Sequence, residues 1–173
     1  MFPIILDTDH LKMVLIGKGE GTERRKKLCR KLGYVPKCYM TIPDAEDLNN
    51  VDIIFGADLN EEESGRLYHL GKAAGALVNI EDNRRYCDFH VPAMVSRGDL
   101  LLTVSTAGKS PRLASLLRQE FEVRFGEEWA ERLDILAQER DMWKAQGASY
   151  HELMDKTDAL LKERGWLSCL NTA

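Results

Sequence analysis

The sequence predicts an α/β fold, a parallel sheet followed by a helical half, and three observations predict it. Short apolar runs rich in strand formers alternate with glycine turns and helical stretches. The run Asp99–Thr106 (DLLLTVST) is apolar in the manner of a strand from a sheet buried on both faces. After Pro111 the pattern turns helical and stays helical.

The first strand is expected at 12–16 (KMVLI), ended by Gly17. Thr22 to Leu32 reads as a helix that stops at Gly33, where a left-handed residue can end it. A second strand ends near Lys37, Tyr39, Thr41 and Ile42, and a third is expected at 51–55 (VDIIF). Residues 61–76 place Leu67, Leu70 and Ala74 at helical spacing and close on Gly75, before a strand at 77–80 (LVNI). Beyond Pro111, Leu113, Leu116, Leu117 and Phe121 form one apolar stripe, and Trp129, Leu133, Leu136 and Trp143 a second. Ser149 and Glu152 make a capping box for a last helix carrying Leu153, Leu160 and Leu161, which ends at Gly165. Such stripes are expected to pack a core or a subunit contact.

Composition narrows the function classes. The 173 residues suffice for one substantial core or a domain with an appendage, and 44% hydrophobic with 30% charged residues is ordinary for a globular protein. No apolar run approaches the ~20 residues of a membrane span. The opening MFPIIL is short for a signal peptide and meets Asp7, Asp9 and His10 at once, so the cytoplasm is the expected compartment. Cys29, Cys38, Cys87 and Cys169 show no metal-ligand spacing and read as reduced thiols. A net charge of -4 argues against generic nucleic-acid binding.

The stretch VLIGKGEGTERRKKL (Val14 to Leu28) gives strand, glycine turn and helix, the context a dinucleotide fingerprint requires. Gly17 would allow the tight turn, and Gly19 would let backbone N–H groups approach a pyrophosphate at the helix N-terminus. Two features depart from the fingerprint. Thr22 stands where Gly or Ala is expected, and no acidic residue for a ribose hydroxyl follows about 20 residues on. A glycine turn that binds nothing stays open as an alternative.

A second signature lies in VNIEDNRRYCDFHVPAMVSRGDLLLTVSTAGKSPRLASLLRQEFE, Val78 to Glu122. Its Asn79-x-x-Asp82, Phe89-x-x-Pro92, Arg97-Gly-Asp-Leu100 and Ser105-Thr-x-Gly-Lys-Ser-Pro111 resemble the precorrin-2 dehydrogenase/sirohydrochlorin ferrochelatase family, the N-terminal module of siroheme synthases. The resemblance extends over nearly the whole chain. It implies a Rossmann-like NAD-binding domain over 1–96, a dimerisation segment over 97–126 and a C-terminal helical domain over 127–173. It also implies siroheme synthesis: NAD-dependent oxidation of precorrin-2 to sirohydrochlorin and, in some members, insertion of Fe2+.

By the same resemblance the key carboxylate falls on Asp82, and the nucleotide contacts on Gly17, Gly19, Glu20, Gly21, Thr41 and Ile42. Oxidation of the tetrapyrrole moves a hydride and releases a proton, so one positioned base is needed. The substrate is a polycarboxylate, which suits Arg97, Lys109 and Arg112 around a turn where Ser110 caps and Pro111 opens a helix. Thr106 and Ser110 are counted with them as substrate-binding residues, and Thr106 stands where some members carry a phosphorylatable serine. His90 beside Phe89 is read as a packed histidine, and no dedicated metal site is expected.

Only about ten residues separate Thr41 from the strand at 51–55, where the family places a helix and a further strand. The sheet is therefore expected to be shorter by one αβ unit, and the methyltransferase module fused in some members is not seen in this chain. The leading expectation is a homodimeric dehydrogenase. A nucleotide- or tetrapyrrole-binding protein without oxidation, and a chelatase using Asp82 without a cofactor, are the alternatives.

Overall fold

A computed structural model describes residues 2–167; Met1, Cys169 and the end of the expected C-terminal domain lie outside the described residues. The chain forms two compact units, Met1–Val91 and Pro92–Ala173.

The first unit is built on four parallel strands, β1 (Met13–Ile16), β2 (Lys37–Tyr39), β3 (Ile53–Gly56) and β4 (Leu77–Ile80), in the order β2-β1-β3-β4. Helices α1 (Glu20–Lys31) and α2 (Glu61–Ala73) make two of the crossovers. Every residue of β1 and β3 is buried, so their side chains fill two cores. Val14, Ile16, Ile54, Val78 and Leu67 form one, while Met13, Leu15, Ile53 and Phe55 form the other. Full burial of each such aliphatic side chain contributes about 1.5–3 kcal/mol.

The shortened connection between β2 and β3 contains a single 3-10 turn, Ala45–Leu48, instead of a helix. Its Leu48 is fully buried against the first core, with Ile42 and Val51 beside it. A parallel crossover must cover the sheet face it passes over. Here a few inserted side chains do so.

The rim of β4 is closed by its own downstream loop. Asp88 accepts from the Val78 N–H at 2.9 Å, from Lys72 at 2.9 Å and from the Tyr68 hydroxyl at 3.2 Å. The Asp88 N–H donates to the Val78 carbonyl at 2.7 Å. Asn79, buried within β4, donates to the Phe89 carbonyl at 2.8 Å, and the Phe89 ring meets Phe55 edge-on at 5.6 Å. The Asn and Phe of the two sequence motifs are thus structural clasps.

The second unit begins with a hairpin, β5 (Ala93–Arg97) and β6 (Leu100–Val104), followed by α3 (Pro111–Arg124), α4 (Trp129–Ala145) and α5 (Tyr150–Glu163). Here one expectation is corrected. The 99–106 run forms a strand, but it pairs antiparallel with β5 in a separate two-stranded sheet and is only partly buried. Gly98, at φ +56, makes a two-residue turn with Asp99, and a turn that short permits only antiparallel pairing. The Ser149–Glu152 capping box on α5 forms as expected. A matching box, Asn60 with Glu63, opens α2.

The Asp88 clasp is testable. Burial alone would raise its carboxyl, but Lys72, the Val78 N–H and Tyr68 outweigh that and hold it below the ordinary range. Asp88→Ala should lower unfolding stability by about 2 kcal/mol at neutral pH. A depressed folded-state value means the contribution is complete above about pH 4 and is lost as pH falls through the folded value. Urea unfolding of both proteins at pH 7 and pH 3 should show the difference shrinking at the lower pH.

Candidate functional site

The parallel sheet delivers three loops side by side at its C-terminal edge. Gly17 donates to the Tyr39 carbonyl at 2.9 Å, Ala57 to Ile16 at 3.0 Å, and Glu81 to Gly56 at 2.8 Å. The ladder thus continues into the loops after β1, β3 and β4, where parallel sheets hold their ligands.

The glycine loop is the closest-packed of the three. Gly17 adopts φ +140, and a Cβ there would stand 1.9 Å from the Ala57 carbonyl oxygen. Gly19 is the N-cap of α1. A Cβ on Gly19 would stand 2.6 Å from the Asp58 carboxyl carbon, and one on Gly21 would stand 2.2 Å from Glu81 Oε2. Side chains at these two positions would fill a cradle that carboxylate groups now reach into.

Asp58 makes the central contacts. Its carboxylate accepts from the Gly21 N–H at 3.1 Å, from the Thr22 N–H at 2.7 Å and from the Thr22 hydroxyl at 2.7 Å. The Thr22 N–H and hydroxyl, aided by Gly21, hold its carboxyl below the ordinary aspartate range. Thr22, which departs from the fingerprint, is itself buried and supplies two of these three donors. Glu81 reaches the same loop from β4 and pairs with Arg24 at 3.5 Å. Sequence reasoning missed both acids. The available signal was their position one or two residues past the end of a parallel strand.

Asp82 follows Glu81 directly, is exposed and adopts φ +59. For a non-glycine residue this is a sparsely populated conformation of the kind found at functional sites. Its carboxylate has no hydrogen-bond partner among the described residues. Beneath this edge, Arg25 lies over the Phe55 ring at 4.7 Å and donates to Asn79 Oδ1 at 3.4 Å. Burial pushes its guanidinium below the usual range, and Glu81 opposes that.

A cleft of about 600 Å³ flanks the loop, lined by Gly17, Gly19, Glu20 and Met40 with the cations Lys18 and Lys27 among others. Thr41 is exposed beside Met40, while the Ile42 side chain turns inward to the core. The residues therefore fit a dinucleotide: a glycine cradle, a helix N-terminus already accepting an anionic group, and a flanking cleft.

The remaining sequence-predicted residues belong to the second unit. Arg97 is buried, donating to the Phe125 carbonyl at 2.9 Å and the Ser96 carbonyl at 2.9 Å, with Glu127 at 3.3 Å. These contacts tie the hairpin to the end of α3 and give Arg97 a structural role instead of a free cationic head. Thr106 donates to the Ser110 carbonyl at 3.1 Å and accepts its N–H at 3.3 Å, which shapes the turn before α3. Ser110 caps α3 by accepting from Leu113 N–H at 3.2 Å, with Pro111 in the first turn. Lys109 and Arg112 are exposed and form no ion pair among the described residues. Also among the described residues, no group of three or more His, Cys, Asp or Glu is placed to hold a metal, and no helix is long and apolar enough to cross a membrane.

Comparison with known proteins agrees with the fold. A family model for NAD(P) binding matches residues 30–93, and the model for the central region of sirohaem biosynthesis proteins matches 97–124. Siroheme synthase of Nitrosococcus oceani is 39% identical over 88 residues, 51% of this chain and 16% of that protein. Siroheme synthase of Pseudoalteromonas atlantica is 28% identical over 141 residues, 70% of this chain and 30% of that protein. The chain spans about a sixth to a third of the length of the curated relatives it matches. The solved structure of SirC, precorrin-2 dehydrogenase, shares the fold over 100% of both chains, with a TM-score of 0.67 and 20% identity. The resemblance carried by residues 78–122 is borne out, as is the α/β fold with its helical C-terminal part. The NAD(P)-binding match begins at residue 30, so the glycine loop rests on its own geometry.

That geometry makes Gly17 intolerant of any side chain. Gly17→Ala must displace the Ala57 carbonyl and hold alanine at φ +140, which should cost about 2 kcal/mol or more. Thermal unfolding checks it, a variant as stable as the parent being the contrary result.

Proposed function

We propose that this chain, which carries the NAD(P)-binding and sirohaem central family models in succession on a precorrin-2 dehydrogenase fold, oxidises precorrin-2 to sirohydrochlorin in siroheme synthesis. The observation that carries the reading is Asp82: an exposed carboxylate in a strained turn, one residue from the acid that touches the glycine loop. Bound NAD would supply the hydride acceptor. Gly17, Gly19 and Gly21 would admit its pyrophosphate to the N-terminus of α1, with Glu20, Thr41 and the Ile42 backbone along the flanking cleft.

Oxidation takes one hydride and one proton from the tetrapyrrole, and on this reading Asp82 accepts the proton. Its positive φ sets the direction of the Cα–Cβ bond, and its exposed carboxylate is free to meet substrate. Iron insertion also releases protons, from pyrrole nitrogens, and the same carboxylate could take them; Fe2+ is then a substrate. In the second unit, Lys109 and Arg112 at the Ser110-capped N-terminus of α3, with Thr106 shaping the turn, form a cationic surface for the substrate's carboxylates. Arg97 ties the hairpin to the far end of α3, through the Phe125 carbonyl. The reading places the protein in the cytoplasm.

Residues 97–126 are read as the pairing segment of a homodimer, with 1–96 as the nucleotide domain and 127–173 as the helical domain. Along α3, Leu113, Leu116, Leu117 and Val123 are exposed, more apolar surface than a helix leaves to water without a partner. Light scattering at tens of micromolar should give twice the chain mass. A monomer would remove this assignment.

Anaerobic incubation of the protein with precorrin-2 and NAD should yield sirohydrochlorin; if none forms while NAD is bound, the dehydrogenase reading fails. Asp82→Asn keeps the shape and removes only the ability to take a proton. It should lower the rate ~10²–10⁴-fold while leaving nucleotide affinity within a factor of about two. Retention of the parent rate would mean that placing substrate against nicotinamide carries the step alone.

A further inference from the structure

We infer that Asp58 is an internal competitor for the dinucleotide: its carboxylate occupies the phosphate seat at the start of α1 and must leave before a pyrophosphate can enter. The inference rests on the nucleotide reading of the glycine loop and adds a residue that sets its affinity.

The donors themselves carry the argument. An anion bound at this turn would be held by the backbone N–H groups at the head of α1. Those of Gly21 and Thr22, and the Thr22 hydroxyl, all donate to the one Asp58 carboxylate. The cradle above Gly19 is filled by the same group, whose three carboxyl atoms lie 2.6–2.9 Å from where a Cβ would stand. Above Gly21 the space is taken by Asp58 and by Glu81, which Arg24 holds at 3.5 Å. A pyrophosphate entering this seat would meet two carboxylates at contact distance, and like charges at that range repel strongly. Carboxylate and phosphate bind the same donors in the same way, so occupancy by one excludes the other.

The exchange needs little movement. Asp58 stands two residues past the end of β3, in a loop residue at φ +57, and rotation of its side chain would free all three donors without unpairing the sheet. Arg24, an exposed cation of α1 whose charge favours the ionised Asp58, could receive it. Ligand-free protein is therefore self-capped, and the nucleotide affinity observed is the intrinsic affinity reduced by the fraction of molecules with Asp58 withdrawn.

The experiment is a calorimetric titration of NAD and of NADH into the wild-type chain, Asp58→Ala and Asp58→Asn, with circular dichroism to confirm the fold. Asp58→Ala frees every donor and removes the charge, so NAD should bind at least tenfold more tightly. Asp58→Asn loses the charge but can still accept an N–H, so its gain should be smaller. If Asp58→Ala does not fold, Asp58→Asn alone decides, a gain supporting the inference and no gain opposing it. Wild type that binds NAD while the folded variants bind it equally or more weakly overturns the competitor role and leaves the nucleotide reading standing. Failure of all three proteins to bind at millimolar nucleotide overturns the nucleotide reading, and this inference with it.

Discussion

The first unit depends on how closely the backbone after β1 approaches the backbone after β3. Gly17 lies against the Ala57 carbonyl with no room for a methyl group, and that approach brings Asp58 within reach of the first turn of α1. From this single constraint follow the seating of α1, the shape of the glycine cradle and the capping of its free N–H groups. A helix N-terminus carries unsatisfied donors and a partial positive charge. Gly19, which caps the helix by sequence position, has no side chain to meet that demand. Asp58 meets it from another strand, which makes one carboxylate both a structural clamp and an obstacle to ligands.

The placement of Asp82 depends on a second set of contacts. Asn79 and Asp88 bind the downstream loop back onto β4, so the turn at 81–83 is held at both ends. Phe89 and Arg25 pack on Phe55 from two sides and tie that loop to the sheet beneath α1. Most of the Asn-x-x-Asp and Phe-x-x-Pro signature therefore serves position, and only Asp82 is left facing solvent with its carboxylate uncommitted. A motif built this way surrounds one free carboxylate with several structural groups.

The second unit shows the same division between support and contact. Arg97, expected to meet substrate, is buried in bonds to two carbonyls and leaves Lys109 and Arg112 as the exposed cations near the start of α3. An arginine with its donors satisfied by fixed carbonyls is a brace, since its planar fork is engaged in one geometry.

What the sequence determined by itself was whatever contiguous residues dictate. The parallel strands, the 99–106 strand and the helices followed from apolar spacing, helix ends from Gly33, Gly75 and Ser110, and the capping box from Ser149 and Glu152. The strand β5 at Ala93–Arg97 was not expected. The family signature, too, was legible, because several motifs occur in order. Tertiary structure alone decided the rest. The antiparallel pairing of β6 was set by the tight turn at Gly98, although its composition matches a buried parallel strand. Asp58 meets Thr22 across 36 residues and Arg97 meets Phe125 across 28. Nothing local marks either partner, since an acid after a strand and an arginine before a turn look alike whether they cap, brace or bind. Periodicity reports which face of an element is buried. Which donor finds which acceptor depends on the distances that packing creates.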